Sequence, residues 1–335
     1  MKKLLFYIIG LLFFASCEKE DTAIVLPPPG DLKLSVANMG SNYDNQVYFD
    51  FETGFQKSVP YRSYDLAFEA SADGFRVYLN TGKFMFIANT FSTDIQTADS
   101  TGKEWKTETD HLYDDSTAFG NWLDGTSMSK NEIYIIDRGR AEHFGSARWR
   151  KIQLVAVDNN QYRIRYSLYN NTLLSEFTIP KNSAYSLMYF SFDDGGKMVE
   201  VAPEKELWDV VFTKFTHTYY SEPVNSPYRY YIVTGGLLNR WAANENEIVK
   251  QDSTPGYKTF EQVKAADISA FNFHKDAALI GFSWKEYDFN LGYIIYTDRF
   301  YMLHDNKGYY YKIRFLDFYD SQGNKGAASF EYQRL

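Results

Sequence analysis

Few residues in this chain are equipped to hold a metal or drive a reaction. Five histidines occur in 335 residues, His111, His143, His217, His274 and His304, beside a single cysteine, Cys17. Imidazole and thioether side chains are the donors that suit transition metals, so the histidines and the better placed methionines are the residues to follow. Motifs of hydrolytic, phosphate-binding and redox sites are missing: no G-x-S-x-G, no H-E-x-x-H, no Gly-rich phosphate loop and no C-x-x-C. Asp114-Asp115 and Asp193-Asp194 are adjacent carboxylates. Neighbours on a strand point to opposite faces, so these read as turn or edge acids rather than an acid–base pair. No spacing supports the facing carboxylates of a glycan hydrolase. Asp65 and Asp209 each stand beside strand aromatics, where a carboxylate accepting backbone N–H groups has a structural role.

The elements that must position these residues are written twice. Tyr48-Phe49-Asp50-Phe51-Glu52-Thr53-Gly54, then Tyr64-Asp65-Leu66-Ala67-Phe68, is answered by Tyr189-Phe190-Ser191-Phe192-Asp193-Asp194-Gly195, then Trp208-Asp209-Val210-Val211-Phe212. In the same order residues 76–82 match 229–235, Trp122 matches Trp284, Asp137-Arg138 matches Asp298-Arg299, and 150–154 match 311–315. The offset grows from about 141 to about 161 residues, as differing loop lengths produce. In that register His111 falls opposite His274 and His143 opposite His304. The match invites a functional reading, and duplicated surface or turn histidines also explain it. His217 shares the strand phase of Phe215 and Tyr219, which predicts a partly buried strand histidine. His304 precedes a turn just before the last strands, a poor place for a clamp.

Strand patterns dominate. Tyr162-Arg163-Ile164-Arg165-Tyr166-Ser167-Leu168 and Tyr311-Lys312-Ile313-Arg314-Phe315 alternate apolar and polar residues, as half-buried antiparallel strands do. Asp158-Asn159-Asn160 and Asp305-Asn306-Lys307-Gly308 supply turn chemistry between such runs. The best helical candidate, residues 260–266, is barely two turns long. The expected fold is all-β, with residues 31–180 and 181–335 as two tandem antiparallel β domains.

The N-terminus carries a different message. Met1-Lys2-Lys3 and the apolar run to Ala15 read as a secretory signal, too short to span a bilayer. Phe14-Ala15-Ser16-Cys17 resembles a bacterial lipoprotein cleavage box, which implies a signal peptide over 1–16 and lipidation of Cys17. A lone cysteine also rules out a disulfide framework. Glu18-Lys19-Glu20-Asp21 is similar to an export tag for the outer face of the outer membrane, and equally reads as a solvated tether. Pro27-Pro28-Pro29-Gly30 makes a stiff spacer, so 17–30 is the expected tether. The whole chain carries a net charge of −8, and removal of 1–16 takes away Lys2 and Lys3, leaving −10. That balance argues against nucleic acid as a partner.

Tyr189-Phe190-Ser191-Phe192 with its acidic Gly turn, Trp208-Asp209, and the tail from Lys312-Ile313-Arg314-Phe315 through Phe330-Glu331-Tyr332 resemble the HmuY-like family. The resemblance implies an all-β, hemophore-like outer-membrane lipoprotein, with residues 181–335 as the clearer copy and 31–180 as a diverged one. It implies capture of haem by two axial His or Met side chains, with an outer-membrane transporter as a possible partner and no enzymatic activity. The second family position lies a few residues after a Gly-Trp pair, and here Lys285-Glu286-Tyr287-Asp288-Phe289 offers neither donor. The loop for the first ligand, ending Ala277-Ala278-Leu279, is short. After Trp122, Met128 stands one place beyond the family position. The resemblance therefore points to Met128 and His111 as axial ligands in the first half, with His143 as the alternative partner and Phe119 and Trp122 against the porphyrin. A second reading is an interaction scaffold gripping protein or glycan through Tyr219, Tyr220, Tyr228, Tyr230 and residues 309–311.

Overall fold

A computed structural model describes residues 29–110, 117–125, 127–139, 145–242, 245–250 and 258–335. The strands of the first half are β1 (Lys33–Asn38), β2 (Asn45–Phe49), β3 (Gln56–Pro60), β4 (Leu66–Glu69), β5 (Val77–Leu79) and β6 (Phe86–Asn89). Then come β7 (Trp105–Lys106), β8 (Ile133–Asp137), β9 (Trp149–Val157), β10 (Gln161–Leu168) and β11 (Ser175–Pro180). The second half supplies β12 (Leu187–Ser191), β13 (Lys197–Val199), β14 (Val210–Thr218), β15 (Tyr230–Leu238) and β16 (Glu245–Lys250). It continues with β17 (Lys285–Asp288), β18 (Gly292–Ile295), β19 (Arg299–His304), β20 (Tyr310–Tyr319) and β21 (Lys325–Arg334). All pairings are antiparallel, as the alternating pattern predicts. In place of a helix at 260–266 there is a six-residue 3₁₀ segment at Ala265–Ala270, while Phe260 and Val263 are buried against Phe300 and Met302.

The sheets run β1-β21-β20-β19-β16, β15-β14-β2-β3, β13-β12-β4-β5 and β11-β10-β9-β8-β6-β7, with β17-β18 as a separate hairpin. Side-chain alternation stacks the four in that order. On β4, Leu66 and Phe68 enter the core shared with the six-stranded sheet, and Ala67 turns to the other core. On β14, Phe212 stacks on Phe330 of the five-stranded sheet at 5.3 Å between centroids. Tyr48 packs edge-on against Trp208 at 4.9 Å. Both inner sheets are thus covered on two sides, which is why consecutive residues such as Tyr189 and Phe190 are both buried.

The sequence copies are interleaved rather than laid side by side. β2 pairs with β14, and β12 pairs with β4, so each copy lends its first hairpin to the other. The division at 180/181 is therefore crossed by strand pairing in both inner sheets, and β1 completes the far sheet by pairing with β21. The physical cause lies in the repeat itself. Matching hairpins present matching edges, and the local sequence does not distinguish pairing within a copy from pairing across copies. The junctions repeat atom for atom. Asp65 N–H donates to Phe190 O at 2.8 Å while its Oδ2 accepts Phe192 N–H at 2.8 Å. Asp209 N–H donates to Phe49 O and its Oδ2 accepts Phe51 N–H, again at 2.8 Å each. Both aspartates have the backbone-bonding role expected of them. Lys151 and Lys312 likewise each reach loop carbonyls, Ile95 O at 2.9 Å and Phe260 O at 2.7 Å.

Candidate ligand-binding cleft

Among the described residues a cleft of about 880 Å³ opens on the surface, a size suited to a cofactor-sized ligand. Its walls come from segments far apart in sequence. The β14–β15 hairpin contributes Lys214, Tyr219 and residues 230–234, and β17–β18 contributes Lys285, Glu286, Tyr287 and Tyr293. Tyr43, Tyr61, Arg62, residues 82–84, Phe282 and Lys325 complete it. A glycine fixes how these parts meet. Gly236 and Gly281 exchange backbone hydrogen bonds of 2.9 Å, and a Cβ on neighbouring Gly235 would lie 2.0 Å from Gly281 O. Only glycine at 235 lets the backbone leading to Phe282, Trp284 and Lys285 lie so close to β15.

The lining combines phenol rings with basic groups. Tyr43 and Tyr293 join hydroxyl to hydroxyl at 3.1 Å, and burial raises the Tyr43 pKa, which keeps that phenol neutral. Lys214 Nζ lies 4.7 Å from the Tyr61 ring centroid and 5.6 Å from that of Tyr43, and Lys325 lies 5.4 Å from Tyr43. Lys285, like Lys83, is an enclosed cation. Its ammonium donates to Thr234 O at 2.5 Å and sits 4.3 Å from the Trp284 ring and 4.6 Å from Phe318. Burial pushes its pKa down to about 7, and the two ring faces act the other way by favouring the charged form. Arg62, Lys83, Lys214, Lys285 and Lys325 face Glu286 as the one acidic lining residue, on a chain of net charge −8. Lys83 is matched by buried Asp65 at 2.8 Å. The other cations make the cleft a basic, aromatic-walled slot. Such a slot suits a flat apolar ligand carrying carboxylates.

Met128 is found elsewhere, on the short hairpin closed by the Leu123–Ser129 bridge, with 67% of its surface exposed. Its amide bonds to Asp124 Oδ1 at 2.9 Å, and it does not line the cleft. Phe119 and Trp122, expected against a porphyrin, are core residues instead. Phe119 packs on Tyr134 at 5.2 Å, and the Trp122 indole donates to Phe75 O at 2.9 Å. Both rings fill the space between the six-stranded sheet and its neighbour, so neither presents a face to a ligand. His111, His143, Cys17 and Asp114-Asp115 lie outside the described residues. His274 is exposed beside Asn272, and His304 stacks flat on Tyr310 at 4.2 Å. His217 is the partly buried strand histidine expected, its Nδ1 joined to the Asp110 carboxylate. The empty family position is informative in another way: Lys285, Glu286 and Tyr287 border the cleft, while Phe289 is 93% exposed at the hairpin tip. Lys285 has no donor atom for iron, and its one signal in the sequence is its place directly after a tryptophan matched in both copies. Asp193 bonds to buried Arg138 and Asp194 to Lys197, which confirms turn roles for that pair. Among the described residues no group of three His, Cys, Asp or Glu side chains is placed to hold a bare metal ion.

The chain is thus an all-β stack of antiparallel sheets bearing a basic, aromatic-walled cleft. The HmuY protein family matches residues 42–332, and the chain belongs to that family. The single match spans both sequence copies. No curated relative matches the chain. Among solved structures it is similar to apo PinO from Porphyromonas gingivitis, at 10% identity and TM-score 0.27, covering 91% of this chain and 97% of that one. It is similar to the apo HmuY analogue of Tannerella forsythia at 10% identity and TM-score 0.28, covering 91% and 95%. The family assignment rests on the sequence match.

Proposed function

We propose that this protein captures haem or a related porphyrin in the cleft and passes it on for uptake, without catalysing a reaction. The observation that carries this reading is the cleft's lining: tyrosine and phenylalanine walls for a planar macrocycle, and Lys214 and Lys325 for its carboxylates. Membership of the HmuY family supports it. The lipoprotein-like Phe14-Ala15-Ser16-Cys17 supports a lipid anchor at Cys17, holding the fold at the cell surface through the 17–30 tether and beside an outer-membrane transporter. No helix among the described residues is long and apolar enough to cross a membrane.

An absorbance titration with haemin tests the proposal. The parent is expected to give a saturable Soret shift near one equivalent. Lys214→Glu and Lys325→Glu are each expected to weaken binding about tenfold, or about 1.4 kcal/mol, with the unfolding temperature of each variant measured alongside. No saturable shift in the parent overturns the proposal. If Met128→Ala weakens binding and the lysine variants do not, the seat is instead the first-half hairpin with His111 or His143.

The scaffold reading keeps one observation in its favour. Tyr220, Val224 and Tyr228 are 63%, 77% and 72% exposed at the tip between β14 and β15. Tyr311, by contrast, is core, and Tyr219 and Tyr230 line the cleft. Retention of the protein on immobilised glycans, abolished by Tyr220→Ala with Tyr228→Ala, would favour that reading.

A further inference from the structure

We propose that the Lys285 side chain captures a flat aldehyde bearing an acidic group, holding it in the cleft as an imine. The assignment does not depend on the haem reading above. Three observations lead to it. First, the amine stands in the cleft wall without an acidic partner. Lys285 opens β17, and it borders the cleft together with Glu286 and Tyr287. The Glu286 carboxylate accepts the Tyr296 hydroxyl at 2.6 Å. The Lys285 nitrogen donates instead to Thr234 O, and among the described residues no carboxylate forms an ion pair with it.

Second, protein rather than water surrounds the nitrogen. It lies 4.3, 4.6 and 5.8 Å from the ring centroids of Trp284, Phe318 and Tyr293. Burial without a counter-charge brings its pKa down to about 7, so a large share is free amine near neutral pH. A lysine desolvated in this way is an activated nucleophile toward carbonyl carbon. Third, the cleft supplies what the rest of such a ligand needs. Lys214 and Lys325 are cations for an acidic group, and Tyr61, Phe282 and Tyr293 offer ring surfaces. The Tyr293 hydroxyl accepts from Tyr43 at 3.1 Å, which leaves its own hydrogen for a ligand oxygen.

In the step itself the Nζ lone pair bonds to the aldehyde carbon, and the carbonyl oxygen takes a proton. The resulting carbinolamine loses that oxygen as water and a C=N bond remains. Both hydrogens of the neutral amine end in the water released. No oxidant or reductant is consumed, and hydrolysis returns the aldehyde unchanged, so this is capture without turnover. The competing role is mechanical: an ammonium that pins the chain after Trp284 onto β15 through Thr234 O.

Pyridoxal 5′-phosphate, an aromatic aldehyde carrying a phosphate, is the probe that separates the two roles. Incubation at pH 7.5, borohydride reduction and peptide mapping are expected to place one adduct per chain at Lys285. Labelling there is expected to exceed that of any exposed lysine by about tenfold or more, because an ordinary lysine is almost wholly protonated at this pH. Lys285→Arg, with its unfolding temperature measured alongside, is expected to keep the cation and lose the adduct. Label confined to surface lysines, or a Lys285→Arg chain labelled like the parent, overturns the proposal. Probe that binds without forming a reducible imine makes Lys285 a pin and likewise overturns it. The adduct map of the parent decides between the roles even if the variant unfolds.

Discussion

Asp65→Ala is expected to cost about 3–5 kcal/mol of folding stability, the range for removing one partner of a buried ion cluster. Asp65 is fully buried. Its Oδ1 accepts Lys83 Nζ at 2.8 Å and Arg138 Nε at 2.9 Å, and its Oδ2 accepts Arg138 Nη2 and the Phe192 N–H, both at 2.8 Å. Burial alone would raise its pKa, but Lys83 and Arg138 together outweigh that and hold it below the ordinary carboxylate value. The side chains of Lys83 and Arg138 are 2% and 0% exposed, so removing the carboxylate strands two cations away from water. Asp193, half exposed, would retain one contact to Arg138. Because the folded pKa is depressed, the stabilisation is present above the unfolded pKa and is lost as pH falls through the folded one. Urea unfolding of parent and variant at pH 7 measures the difference. A loss under about 1 kcal/mol would show that the cluster relaxes to water and is not holding the exchanged hairpins together.

Glu108→Gln is expected to stabilise the protein by about 2–3 kcal/mol at pH 7 and by almost nothing near pH 4.5. Glu108 is 5% exposed, and its Oε1 accepts the Ala118 N–H at 2.8 Å. Burial pushes its pKa from 4.5 up to about 8. In the fold the carboxyl therefore stays protonated at neutral pH, whereas in the unfolded chain it ionises. Folding takes up a proton between about pH 4.5 and 8, and the stability contribution of this group falls by about 1.4 kcal/mol per pH unit across that window. Glutamine keeps the acceptor oxygen and removes the titration. Thermal unfolding of both proteins at pH 4.5, 6 and 8 gives the slope directly. A constant difference at all three values would mean that Glu108 is ionised in the fold and held by another charge.

Much of the fold was legible from local pattern. Tyr162, Ile164 and Tyr166 point inward while Arg163 is exposed, as their alternation requires. The matched aspartates were recognisable because a carboxylate beside strand aromatics has few partners other than backbone N–H groups. His217 was placed by its phase with Phe215 and Tyr219. The copies were legible as a repeat, but their interleaving was not, because identical edges carry no instruction about which hairpin each should pair with.

The candidate site was harder to read for the same reason. Asp137-Arg138 and Asp298-Arg299 match in sequence, yet Arg138 is buried on Asp65 while Arg299 turns back to Asp298. Phe119 and Trp122 announced apolar surface without saying whether protein or ligand would cover it, and the tertiary packing covered both with protein. In sequence Lys285 was only part of a stretch without a donor; Thr234 and the rings of Trp284 and Phe318, brought to it by the fold, enclose its ammonium. By itself the sequence determined strand alternation, turn chemistry and the repeat, since these depend on backbone geometry over a few residues. The tertiary structure alone decided the hairpin exchange and the cleft, because each is made by contacts between segments more than a hundred residues apart, where side-chain type states what a surface prefers but not what it will meet.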